Sequence, residues 1–336
     1  MIPPLRPTFD AALRDVRASQ PRFRRAAAGR LAEPPDGRES EAAEGLRALA
    51  RDPDGEVRAL AFESIGLLQV ADAEEVLLLG FDDRYPPARQ AAVMALAQIA
   101  PERASDSIAP LLTDPRPEMR FSALWALSML GPLHAARIAA ALDDRDPEVR
   151  LAAARGRGAR GVSAPADRLA QLLDDPDKSV GFAVATTLAS LGDPRGAPLL
   201  RSALRDPERA FTAAMGLGDL RDSTSHGDLA RLAKSWFGSP IVRAAAARAL
   251  VRLGDAEGER VLGKLVRSWR IEARQYATEL VGELELTNLV PELARNLRRC
   301  SAGERAVIRT ALQTLASTSA EARALLASIG PANHPV

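Results

Sequence analysis

The 336-residue chain has little of what local chemistry is usually built from: one cysteine, three histidines and an aromatic content of 4%. The single Cys300 excludes an internal disulfide and a four-ligand zinc site. His134, His226 and His334 are isolated, with no second His or Cys at metal-ligand spacing, and neither HExxH nor CxxC occurs. A GxSxG elbow is also missing, and the glycine-rich GRGARG stretch does not follow a strand. No catalytic residue, metal or cofactor is therefore expected. Long apolar runs are lacking too. The longest aliphatic stretch, near Val76–Phe81, falls far short of the ~20 residues that cross a bilayer. The first residues show no apolar segment of signal-peptide length, so the expectation is a cytoplasmic protein without membrane insertion. Lysine is almost absent, at three of 45 basic residues. That arginine bias, with abundant alanine, suggests a GC-rich bacterial genome. A net charge of +1 argues against general nucleic-acid binding driven by counterion release.

What is present is alanine, roughly a fifth of the chain, within an apolar share of 46%. Small side chains let backbones approach closely, which favours helix-on-helix packing over a sheet sandwich. No segment alternates with period two for long enough to predict a strand. Length alone predicts about two domains, but self-comparison replaces that estimate. A phrase recurs in which a turn with Asp-Pro leads to Val-Arg or a close variant, then Ala three residues on, then an aliphatic residue. Copies begin at Asp52, Asp114, Asp146, Asp175 and Ser239. With the arginine as anchor, the units fall at Arg58, Arg89, Arg120, Arg150, Gly181, Ala210, Arg243, Arg274 and Arg309, spaced by 29 to 35 residues. Gly181 and Ala210 stand where the arginine is missing, and Arg24 anchors a degraded copy upstream. Asp before Pro reads as a helix start, the aspartate accepting free N–H groups of the first turn. Each unit thus predicts two helices.

The phrase D-P-x-x-x-V-R-x-x-A-x-x-A-L-G, matched from Asp52 to Gly66 and again from Asp114, resembles the HEAT repeats of the phycobilisome-lyase type. The resemblance implies an all-α, right-handed α-solenoid of about nine or ten helical pairs. It also implies a scaffold function more than any one chemistry. The array is expected over residues 40–330, after a basic helical segment or degenerate capping repeat at 1–32 and before a short tail at 331–336. Glycines 156, 158, 161, 216 and 218 suggest a soft point within 155–225.

The anchor arginines are expected to form a structural ladder, bonding the aspartates or turn carbonyls of adjacent units. Positions one and five after each anchor should share the face of the second helix not used by the Ala/Leu core. In mid-chain that face holds Met94, Phe121, Trp125, Phe182, Phe211 and Met215, an apolar stripe expected to bind a partner helix or extended segment. The leading expectation is a non-catalytic protein–protein interaction scaffold. One alternative is a nucleic-acid- or phosphate-binding protein using Arg155, Arg157 and Arg160, helped by the basic N-terminal stretch. Another is chromophore handling like that of the bilin lyases. A glycosylase-like groove is disfavoured, because Trp125, Trp236 and Trp269 lack an Asp one helical turn later.

Overall fold

The computed structural model describes residues 7–131, 134–155, 166–235, 238–298 and 300–329. Among these residues every regular element is helical. The chain forms two compact units, Met1–Leu172 and Leu173–Val336. Unit 1 contains α1 (Phe9–Asp15), α2 (Pro21–Leu31), α3 (Glu39–Leu49), α4 (Gly55–Leu68), α5 (Glu74–Gly80) and α6 (Pro86–Ile99). It continues with α7 (Pro101–Ile108), α8 (Pro117–Leu130), α9 (Ala135–Ala140), α10 (Pro147–Arg155) and α11 (Ala166–Ala170). Unit 2 contains α12 (Lys178–Ser190), α13 (Ala197–Ala203), α14 (Ala210–Asp219), α15 (His226–Lys234) and α16 (Pro240–Arg252). Then follow α17 (Ala256–Val266), α18 (Ile271–Glu283), α19 (Val290–Leu297), α20 (Ala302–Leu315) and α21 (Ala320–Ser328). The anchors fall on alternate helices, the second of each pair, and these pack side by side within each unit. Each unit has its own Ala- and Leu-rich core, one running from Phe9 to Leu127, the other from Ala185 to Ala322.

The turns that start α4, α10 and α12 use two acids, and their roles differ. In D-P-D-G-E-V-R, Asp54 caps α4 by accepting the N–H groups of Glu56 and Val57, while Asp52 accepts the N–H of Asp54. The aspartate before proline is therefore the cap only in the Asp146–Pro147 copy, where it accepts from Glu148 and Val149. Asp52 instead belongs to the ladder, held by Arg24. Arg58 shows the arrangement. Its Nη1 donates to the carbonyls of Asp52 and Pro53 at 2.7 and 3.1 Å, and Nε and Nη2 each reach the next turn's Asp83 at 2.6 Å. Arg24 with Asp52 and Arg120 with Asp144 repeat the bidentate grip. So α2 carries a ladder bond of the regular type. Arg89 departs from it because Arg116 already holds Asp114 through two 2.8 Å bonds. Arg89 turns to Glu118 instead, leaving its buried Nε without a partner.

Helix ends follow the same register. Eleven residues after the anchor the backbone turns left-handed, at Gln69 (φ 59°) in unit 1. In unit 2 the same slot holds Gly192, Arg221, Gly254 and Glu285, with φ between 50° and 81°. The next residue's N–H reaches back to close the helix, as Asp222 does to Leu217 at 3.1 Å. A side chain in this conformation costs ~1–2 kcal/mol, whereas glycine adopts it freely. Arg221→Gly is therefore expected to stabilise unit 2 by about 0.5–1 kcal/mol after glycine's greater unfolded-state entropy is subtracted. Urea unfolding checks this; an unchanged or lower midpoint refutes it.

At Gly216 and Gly218, within the stretch expected to be soft, α14 runs through both. A Cβ at Gly218 would lie 2.8 Å from the Ala249 Cα of α16, and one at Gly216 would lie 3.0 Å from Leu200. These glycines permit close helix approach. Gly156, Gly158 and Gly161 lie outside the described residues.

Candidate functional site

In unit 1 the second helices α4, α6, α8 and α10 present successive anchor-plus-five residues Glu63, Met94, Trp125 and Arg155. Trp125 is 55% exposed, and Met129, one turn further along α8, is 42% exposed. Leu67 on α4 occupies the slot equivalent to Met129 and is 64% exposed. Met94 is half-buried against the unit 1 core, and Phe121 is half-buried at the start of the same face of α8. Glu63 and Arg155 are exposed at the two ends of this row. The result is an apolar row over neighbouring helices with an acid at one end and a base at the other. Leu67 and Met129 were not anticipated, because the stripe expected from the sequence ended at anchor-plus-five. The signal was available, since anchor-plus-nine lies one helical turn further along the same face.

In unit 2 the corresponding side chains have internal partners. The Arg209 guanidinium sits 5.2 Å from the Phe182 ring centroid. Phe211 stacks at a tilt on Tyr276, centroids 5.9 Å apart, and the Tyr276 hydroxyl donates to Met215 Sδ at 3.7 Å. Phe182, Phe211 and Met215 all pack against the unit 2 core, and burial pushes the Tyr276 phenol above its ordinary pKa. Beside them Arg248 bridges Asp219 and Glu283 at 2.9 and 2.6 Å, so the polar groups of this face also satisfy one another. Tyr276, two residues after its anchor, was not anticipated.

Of the three arginines expected to bind anions, Arg155 is exposed at the end of α10, while Arg157 and Arg160 lie outside the described residues. His134 is buried, which lowers its pKa, and its Nε2 lies 3.3 Å from Ser105 Oγ. His226 meets Asp255 at 2.7 Å. Among the described residues no group of His, Cys, Asp and Glu is placed to hold a metal ion, and no helix is long and apolar enough to cross a membrane.

Alternating helices in side-by-side register, tied turn to turn by arginine–carboxylate bonds, define the helical-repeat class of α-solenoids. Residues 74–139 and 134–212 match the family model for HEAT repeats. Importin beta resembles it with a TM-score of 0.53 at 14% identity, over 95% of this chain and 52% of that one. An engineered protein scores 0.46 at 21% identity, covering 94% of this chain and 98% of its own. The complex of CpcE and CpcF of phycocyanin lyase from Nostoc sp. PCC7120 scores 0.33 at 18% identity, covering 85% and 94%. Likeness at such identities concerns the fold alone, and the last two scores are too low to support an argument. No curated protein matches the chain.

Proposed function

We propose that the protein is a non-catalytic scaffold that binds a protein partner, a helix or extended segment, on the second-helix row of unit 1. The observation that carries this reading is the placement of Trp125 and Met129. They are two large apolar side chains one turn apart, left to solvent on a helix whose other apolar residues are mostly buried. Exposed tryptophans of this kind are the usual energetic centre of protein interfaces. Glu63 and Arg155 give the row a direction, so the fitting segment presents an apolar anchor to Trp125, with an acid facing Arg155 and a base facing Glu63.

Affinity capture from native lysate with the wild type and Trp125→Ala tests the proposal. The variant is expected to lose the specific partner while its stability stays within about 0.5 kcal/mol, as for surface substitutions generally. Phe211→Ala, which removes a half-buried ring, is expected to lower the melting temperature measurably. If Trp125→Ala captures the same proteins as the wild type, the reading fails.

A further inference from the structure

A cleft of about 490 Å³ opens in unit 2 among the end of α17, the loop into α18 and the end of α19. That size lies within the range of small-ligand sites. Arg267, Arg274, Arg295 and Arg298 line it, together with Asn296 and Trp269, and among the described residues none that lines it is acidic. Part of this charge has a structural use. Arg267 and Arg298 follow the last turns of α17 and α19, where cations favour the helix dipole. Arg274 is a ladder residue bound to Glu304 at 2.8 Å, and Arg295 pairs with Glu292 at 3.1 Å. Two carboxylates thus offset two of four guanidinium groups. Arg267 donates only Nε, to the Gly263 carbonyl at 3.2 Å, and Arg298 has no ion pair or side-chain hydrogen bond among the described residues. Each guanidinium carries five N–H donors, so most of theirs face the cleft or water.

The rim adds a feature that dipole compensation does not require. Trp269 is 82% exposed and the nearby Ile271 is 53% exposed. The Arg270 guanidinium lies 5.1 Å from the Trp269 ring centroid, next to an indole otherwise open to solvent. A planar aromatic group beside unpaired guanidinium groups matches a ligand with a flat ring and phosphate charge. We propose that this cleft binds a nucleotide unit, its phosphates held by Arg267 and Arg298 and its base stacked on Trp269. The assignment is independent of the partner row in unit 1. It places anion binding at a cluster different from Arg155, Arg157 and Arg160.

The test is calorimetric titration of the full chain with ATP, with pyrophosphate and with a ten-residue oligothymidylate, the last separating a free nucleotide from one within a strand. Binding of ATP or of the oligonucleotide is expected, and it should weaken with added salt. Arg298→Glu should reduce it at least tenfold with only the small fall in melting temperature that a reversed charge at the end of α19 brings, because Arg298 holds no ion pair or side-chain hydrogen bond among the described residues. Trp269→Ala should reduce ATP or oligonucleotide binding by about tenfold and leave pyrophosphate unchanged. Failure of both nucleotide probes at millimolar concentration overturns the proposal. So does binding that ignores Arg298→Glu, or pyrophosphate binding as tightly as ATP with no effect of Trp269→Ala.

Discussion

Replacing Arg120 with alanine is expected to destabilise unit 1 by about 3 kcal/mol, seen as a fall of roughly 6–12 °C in melting temperature. The Arg120 side chain is 5% exposed and that of its partner Asp144 is 10% exposed. Removing the guanidinium strands a carboxylate that then keeps only the Asp146 N–H, at 2.8 Å, and it frees the carbonyls of Asp114 and Pro115. Breaking a buried pair costs ~3–5 kcal/mol. The lower end applies because the pair sits in the outer layer of turns, where water enters once the side chain is gone. Removing both charges should cost less than the two single changes combined, so Arg120→Met with Asp144→Asn should show a coupling of at least ~1 kcal/mol. Additive effects would mean that the ladder bond contributes nothing as a pair.

Acid titration gives the same bond a second readout. Burial pushes the Asp144 carboxyl up, but the hydrogen bonds from Arg120 and the Asp146 N–H, together with the charges of Arg120 and Arg145, jointly outweigh it, and the pKa lies below the ordinary carboxylate value. A carboxyl whose pKa is lower folded than unfolded stabilises the fold above its unfolded value and loses that contribution as pH falls through the folded one. The stability gap between the wild type and Arg120→Ala should therefore be complete at neutral pH and shrink below about pH 4.

The repeat register was legible in the sequence because it is written in residues with specific backbone roles. Asp-Pro at a helix start and Arg six residues after a ladder acid survive as local patterns, and the structure places Arg24, Arg58 and Arg120 on the same rung geometry. What escaped depends on neighbours distant along the chain. The diversion of Arg89 to Glu118 follows from Arg116 occupying Asp114, which no repeat consensus encodes. The apolar face was visible by helical spacing. Whether each member meets water was not, because Phe211 and Met215 are covered by Tyr276 from a helix about sixty residues further on. The cleft at Trp269 was invisible for the same reason, its arginines coming from three separate helices. The contacts that glycines 216, 218 and 258 make were invisible too, because they depend on the helix packed against each.

That contact makes a sharp prediction at Gly258. A Cβ there would lie 2.5 Å from the Ala247 carbonyl oxygen and 2.7 Å from the Val251 backbone nitrogen, both on α16. Backbone atoms cannot rotate away, so any side chain must push α17 off α16. The position lies fifteen residues after its anchor, and the equivalent slots mostly hold small residues, Ala73, Ala104, Ala135, Gly196 and Ser225, with Leu289 the large one among them. At Gly196 the obstacle is again backbone, since a Cβ would lie 2.6 Å from the Ala185 carbonyl oxygen. Gly258→Val is expected to destabilise unit 2 by about 3 kcal/mol, the upper part of the usual overpacking range. Helix propensity alone predicts the opposite sign, since glycine is the poorer helix former by up to ~1 kcal/mol. Gly227, inside α15, supplies the control: nothing lies within 4 Å of its would-be Cβ. Gly227→Ala should therefore stabilise the same unit by about 0.5–1 kcal/mol. Opposite signs in urea unfolding would show that helix approach, and not chain flexibility, sets the use of glycine in these repeats. Equal signs would refute it.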